Sequence, residues 1–280
     1  MAKIKIVTDS TADLTKEEIE QYGVEVIPLS ICIDNQTYLD RVDITPTEFI
    51  EKMKHSNELP KSSQPAIGEF VELYERLSSD GSEILSIHMT GGMSGTVRAA
   101  ESAAQMVDAN VTVIDSMYIS KGLAFQVIEA SNMVKEGKGI SEIVKRLEDI
   151  RRNTTLFVVV DTLENLIKGG RIGRGKALIG SLLNIKPIAS LADGVYTPVS
   201  KARSHSQVVK FLTKQFQEAI QGKTVKGVGL VHAEGIELAN RVKEAVINVS
   251  GFSKFSIEDT TPIISTHTGV GAIGFMYYAE

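Results

Sequence analysis

Tryptophan is absent, cysteine occurs once, and no apolar run approaches the roughly 20 residues that a membrane-spanning helix needs. The lone thiol, Cys32, excludes an internal disulfide framework. Lying in the apolar run Val26 to Ile33, it reads as a small buried hydrophobe rather than a catalytic group. With one cysteine and no two of the five histidines at helical spacing, no zinc constellation is present. Basic residues are outnumbered, 30 against 35 acidic, for a net charge of -5. No long Lys/Arg run supplies the positive stripe that a nucleic acid or an anionic membrane would require. No secretory signal is seen either: Met1-Ala2-Lys3-Ile4-Lys5 leads straight into a strand, so a cytoplasmic protein without stable membrane insertion is expected.

What is there has the balance of an ordinary globular protein, 42% hydrophobic and 23% charged, and 280 residues at roughly 150 per domain suggest two domains. In the first half, short apolar runs alternate with amphipathic stretches, the sequence form of a parallel sheet covered by crossover helices. Lys3 to Thr8, Val24 to Ile33, Glu83 to His88 and Asn110 to Asp115 read as strands. Thr15 with Glu18, and Thr45 with Pro46 and Glu48, are N-cap threonines with a carboxylate three residues on, which start helices ending near Gly23 and Lys54. Further helices are expected from Pro65 to Ser78, Thr96 to Val107, Ile119 to Lys135 and Ser141 to Arg152.

The second half opens with strand Leu156 to Asp161, a short helix, a Gly/Arg-rich segment and an apolar helix to about Leu183. Asp193-Gly194, flanked by Lys186 to Ala192 and Val195 to Lys201, signals a type I′ hairpin and so antiparallel neighbours. Helices Gln207 to Ile220 and Ile236 to Val249 and strands Val225 to His232, Phe255 to Ile257 and Ile273 to Tyr278 complete a mixed sheet. The expectation is an α/β chain: an N-terminal three-layer α/β/α domain with a mainly parallel sheet over 1–153, and a C-terminal α/β domain with a mixed sheet over 154–280.

Three familiar motifs are nearly matched. Gly170 to Lys176 has the glycine and lysine spacing of a P-loop, but Ala177 replaces the hydroxyl that would hold magnesium, and a helical stretch separates it from the preceding strand. Gly269 to Gly274 has GxGxxG spacing, but the six residues after it are too few for the required helix and strand, so these glycines read as places of turn or close packing. Gly92-Met93-Ser94-Gly95-Thr96 falls one residue short of a G-x-S-x-G nucleophile elbow and lies, as an elbow would, between strand and helix. His267 follows far downstream, which leaves open a serine hydrolase of acyl esters or thioesters acting through Ser94 and His267.

The same loop has the construction of an anion site: flexible glycines, a hydroxyl, and the first N–H groups of a helix whose dipole favours negative charge. Equally, Ser94 fits as the plain N-cap of that helix. Lys61-Ser62-Ser63-Gln64-Pro65 brings two hydroxyls and an amide to a second helix entry, where ordinary capping also accounts for them. Among the histidines, His55 and His205 sit near helix ends and read as solvent-facing, while His88 and His232 lie at strand ends. His267 stands out because the small polar residues around it, Ser265 to Gly269, suggest an exposed loop.

Taken in order, Val7-Thr8-Asp9-Ser10-Thr11, Ser62-Ser63-Gln64-Pro65, Gly92-Met93-Ser94-Gly95-Thr96, Gly169-Gly170-Arg171 and His267-Thr268-Gly269 with Gly271-Ala272-Ile273-Gly274 resemble the DegV family over essentially the whole chain. That family includes the FakB-type carriers that serve bacterial fatty acid kinase. The resemblance implies two α/β domains with a long-chain fatty acid between them, its carboxylate bound by Ser62, Ser63, Ser94, Gly95 and His267. The family usually has threonine where this chain has Ser62, so a hydroxyl is kept and a methyl group lost. Arg171 is implied in the encounter with the kinase rather than in lipid affinity; its plainer role is a surface ion pair. No catalytic residue, metal or cofactor is implied: the ATP-dependent fatty acid kinase converts the carried carboxylate to an acyl phosphate, for phospholipid metabolism.

Hydroxyls, an imidazole and N–H groups suit such a head group, because they hold a carboxylate without a buried salt bridge and leave one oxygen to present to phosphate. The tail contributes more: about 15 buried carbons at about 0.8 kcal/mol each give on the order of 12 kcal/mol before ordering costs. Candidates to line its channel are Ile27, Leu29, Ile31 and Phe70, then Leu178, Ile179, Leu182 and Ile188, each of which serves equally as plain core. A third class of reading is a kinase subunit that binds a small hydroxyketone.

Overall fold

The computed structural model describes residues 3–178 and 185–280. The elements run β1 (Ile4–Asp9), α1 (Lys16–Tyr22), β2 (Val24–Ile27), β3 (Ser30–Ile33), β4 (Gln36–Leu39), α2 (Pro46–His55), β5 (Lys61–Ser63), α3 (Ile67–Ser78), β6 (Glu83–His88), α4 (Thr96–Ala104), β7 (Val111–Asp115), α5 (Ser120–Lys135) and α6 (Ile140–Asn153). They continue with β8 (Thr154–Val159), α7 (Glu164–Lys168), β9 (Lys186–Ser190), β10 (Thr197–Ala202), α8 (His205–Ala219), β11 (Val225–His232), α9 (Ile236–Ser250), β12 (Ile257–Asp259), α10 (Pro262–Thr268) and β13 (Ile273–Ala279). Both expected capping boxes are formed, at Thr15/Glu18 and Thr45/Glu48, and Gly23 ends α1 in the left-handed region.

Two compact units emerge, one of residues 1–30 and 62–152 and the other of 31–61 and 153–280. The segment Ile31–Lys61, which the sequence reading places in the first domain, groups with the second unit. Its helix α2 is held there by side chains: Lys54 pairs with Glu234 at 2.5 Å, and the Asn165 amide lies 4.0 Å from the Met53 sulfur. Val24 to Ile33, read as one strand region, is two strands in different sheets, parted at Pro28-Leu29. Cys32 on β3 is half-buried rather than buried.

The first unit is a wholly parallel sheet of order β2-β1-β6-β7. Phe70, Tyr74 and Leu77, spaced along one stripe of α3, pack with Ala99, Ala100 and Ala103 of α4 on one face, around Val7 and Ile84. Helix α5 lies against β1 and β6. Alternation along β1 sends Val7 and Asp9 to the α3/α4 face and Thr8 to the other. In such a sheet the loops at the strand C-termini share one edge, and this edge carries the loop from β6 to α4.

The second unit holds a six-stranded sheet of order β10-β9-β8-β13-β11-β12, antiparallel throughout except for the β11–β12 pair. Asp193 and Gly194 both have positive φ, as a type I′ turn requires. The ladder nevertheless starts only at Ser190 and Thr197, so the hairpin connection is longer than two residues. Residues 173–178 form a 3-10 turn; the rest of the apolar helix expected to reach Leu183, including the channel candidates Ile179 and Leu182, lies outside the described residues. Of the other candidates, Ile27 and Phe70 belong to the core of the first unit and Ile188 to that of the second.

Candidate functional site

In the first unit the site candidates lie on the loop from β6 to α4 and on the approach to α3. The loop begins with Met89 N–H donating to Asp9 Oδ2 (2.8 Å), Thr90 N–H to the Tyr118 carbonyl (2.9 Å) and Gly91 N–H to Asp115 Oδ2 (3.0 Å). Gly92 N–H donates to Thr90 Oγ1, and those of Met93 and Ser94 to the Thr90 carbonyl. The N-cap of α4 is Gly95, not Ser94. Ser94 Oγ instead accepts the Thr96 N–H at 3.3 Å and lies 2.8 Å from Thr96 Oγ1, so buried Thr96 orients it. Among the described residues, the N–H groups of Gly95, Val97 and Arg98 donate to no protein acceptor. Three free donors at the positive end of a helix, beside a hydroxyl, form an arrangement that takes an anion.

The second candidate stretch meets this loop. Gln64 lays its amide oxygen against Gly95 so closely that a methyl group at that position would collide with it. Ser62 is half-buried and Ser63 exposed at the end of β5. Thr96, which steadies Ser94, and the packing of the Gln64 amide on Gly95 go beyond what the sequence pattern indicates. The spacing Ser-Ser-Gln-Pro was legible, but the contact joins positions 31 residues apart.

In the second unit His267 sits in the last turn of α10, a helix absent from the sequence reading. The expected exposed loop is instead a capped turn: Thr261 is N-cap, Pro262 stands at the first turn, and Ser265, Thr266 and Thr268 are buried. The imidazole edge lies on the backbone of Gly169, where a methyl group would strike His267 Nδ1. Asn165 of α7 locks this arrangement by donating to the Thr266 carbonyl at 3.0 Å. Arg171 folds back to donate to the Gly169 carbonyl at 2.6 Å. The Gly169-Gly170-Arg171 and His267-Thr268-Gly269 motifs, about a hundred residues apart, are thus neighbours.

Burial pushes the His267 pKa down to about 4, with the Arg171 guanidinium adding in the same direction. A position at a helix C-terminus favours the protonated ring, but here desolvation wins. At neutral pH the side chain is an uncharged imidazole, with one N–H donor and one acceptor nitrogen.

A Ser-His-Asp chain does occur, though not where an elbow would put it. Asp9 Oδ2 lies 3.1 Å from His88 Nδ1, and His88 Nε2 lies 2.7 Å from Ser86 Oγ, which is 2.8 Å from the Tyr74 hydroxyl. All four side chains are fully buried beneath the loop, out of a substrate's reach, and they serve as a packed polar brace. His205, expected to face solvent, is half-buried. Gly173 to Lys176 of the near P-loop belongs to the 3-10 turn, with Arg174 paired to Asp193 at 2.9 Å. Among the described residues no cluster of His, Cys, Asp or Glu is placed to hold a metal ion, and no helix is long and apolar enough to cross a membrane.

With this geometry in place, comparison with known proteins is direct. A family profile described as "Uncharacterised protein, DegV family" matches residues 3–280. A DegV domain-containing protein of Staphylococcus aureus is 49% identical over 276 residues, covering 99% of each chain. Among solved structures, a DegV family protein from Thermus thermophilus, described by its fatty acid binding, superposes with a TM-score of 0.94 at 31% identity, over 99% of this chain and 100% of its own. DegV from Bacillus subtilis, described as a fatty acid binding protein, gives 0.92 at 32% identity over 100% of both chains.

Proposed function

The chain belongs to the DegV family, and from that premise we propose that it is a carrier of long-chain fatty acids that performs no chemistry on them. The observation that carries this reading is the whole-length match, at 31% and 32% identity, to two structures of fatty-acid-binding proteins. In this reading the carboxylate is held by the Ser94 hydroxyl and the Gly95 N–H, with Ser62 and Ser63 assisting, and by the neutral imidazole of His267. Free donors at the start of α4 and an uncharged imidazole support it, since together they give hydrogen bonds to an anion at the cost of no buried counter-charge. Arg171 forms part of the surface offered to an ATP-dependent fatty acid kinase in the cytoplasm, which turns the presented carboxylate into an acyl phosphate.

Native mass spectrometry of the purified protein, followed by solvent extraction, tests the proposal: a bound mass matching a C14–C20 fatty acid is expected. Protein that is empty as purified and is not stabilised by oleate in a thermal-shift assay would refute it. Stabilisation by dihydroxyacetone but not oleate would point to a small-ketone binder, and covalent labelling of Ser94 by a phosphonate would point to a hydrolase. Ser94→Ala and His267→Gln, assayed separately for oleate affinity, test the two halves of the head-group assignment.

A further inference from the structure

The carboxylates at the C-terminal edge of the parallel sheet sit where an anion is to be bound, which is electrostatically the wrong sign. Their hydrogen bonds show what they do instead. Asp115, the last residue of β7, splits its two oxygens: Oδ1 accepts the Met117 N–H at 2.8 Å, and Oδ2 reaches back 24 residues to accept the Gly91 N–H at 3.0 Å. The approach is as close as Gly91 permits, because a methyl group there would lie 3.0 Å from Oδ2. Asp9 divides its oxygens in the same way: Oδ1 takes the N–H and hydroxyl of Thr11, while Oδ2 takes the Met89 N–H and faces His88 Nδ1.

We infer that Asp115, with Asp9 behind it, is a positioning residue for the head-group loop: gripping Gly91 and Met89, the two carboxylates fix the turn that delivers Ser94 and Gly95. The inference rests on the proposed fatty-acid reading for its ligand, but the clamp itself is independent of it. Between Met89 and Thr96 each N–H except that of Gly95 is absorbed by an acceptor among the described residues, which leaves one donor of the loop for the ligand. The negative charges are likewise consumed by N–H donors of the fold, which leaves their repulsion of a bound carboxylate weak beside the order they impose. An amide cannot replace Asp115. Asparagine has one acceptor oxygen and one NH2 group, so either Gly91 or Met117 would face a donor with a donor.

Two variants perturb the same bond from opposite sides: Asp115→Asn, which removes an acceptor, and Gly91→Ala, whose new methyl group at 3.0 Å pushes on the carboxylate. In lipid-free protein, hydrogen exchange of the 89–96 segment is expected to accelerate about tenfold in either variant. Unchanged exchange in both overturns the clamp, whatever the ligand turns out to be. Oleate affinity is expected to fall about tenfold for Asp115→Asn in the wild-type background and only about threefold in a Ser94→Ala background, where the Gly95 N–H alone still depends on the clamp, the non-additivity of residues acting through one another. Equal losses in both backgrounds, or none in either, overturn the positioning role. If wild-type protein shows the predicted exchange contrast yet ignores oleate, the fatty-acid reading fails and the clamp stands.

Discussion

Lowering the pH from 7 to 5 should destabilise this protein, His232 contributing in the same direction as His267, and the share that belongs to His267 follows from its desolvation among the residues around it. Its pKa is about 4 in the fold against 6.5 ordinarily, so between those values the unfolded chain binds more protons at this site than the folded one. Stability therefore rises with pH across the window: the contribution is fully present above pH 6.5 and is lost as pH falls toward 4. Integrating the titration of the two states from pH 7 to pH 5 gives a loss of about 2 kcal/mol. Urea unfolding of lipid-free protein at both pH values measures it, with His267→Gln as the control that shares every other titrating group. The wild type should lose about 2 kcal/mol more than the variant on going to pH 5. A difference indistinguishable from zero would refute the half-buried, uncharged imidazole. If the proposed head-group assignment holds, a bound carboxylate should raise the imidazole pKa and the excess loss should shrink; an excess loss unchanged by oleate would remove His267 from the head-group site.

Gly169→Ala retains an allowed helical backbone but drives a methyl group into the His267 ring and to 2.9 Å from the Asn165 carbonyl; a cost of about 1–3 kcal/mol is expected, with the ring's NMR titration moving up toward 6.5. An unchanged titration would show that the ring does not depend on Gly169. Gly95→Ala should weaken oleate binding about fivefold by displacing the Gln64 amide, and adding Gln64→Ala should restore affinity by removing the collision. Failure of the double variant to recover would place the effect elsewhere. Thr8→Val replaces a fully buried hydroxyl that has no hydrogen-bond partner among the described residues by a methyl group of the same shape, and should raise stability in urea by about 1 kcal/mol. A loss of stability would mean that the hydroxyl is bonded in solution.

What was legible in the sequence is what short-range physics encodes. Thr15/Glu18 and Thr45-Pro46/Glu48 announce their helices because a capping box is complete within four residues. Helix α10 carries half of the same signal, Thr261-Pro262, but the Ser, Thr and His residues after it lack an apolar stripe and so read as loop. Val24 to Ile33 reads as one strand because apolar character does not reveal that the chain changes sheets at Pro28. The candidate site was legible as a set of residue types. Its wiring was not: Asp9 to Met89, Asp115 to Gly91, Gln64 to Gly95 and Asn165 to Thr266 are contacts over 24 to 101 residues, which no local pattern records.

The path of the main chain has an evolutionary and practical consequence. Because the stretch 31–61 leaves the first unit and returns to it, the chain passes from one unit to the other three times, and no single cut yields two intact modules. A fragment ending at 153 would keep α2 but lose Glu234 and Asn165, the residues that hold it. Truncation or exchange of halves with a relative must therefore keep 31–61 together with 153–280, which a single crossover cannot do.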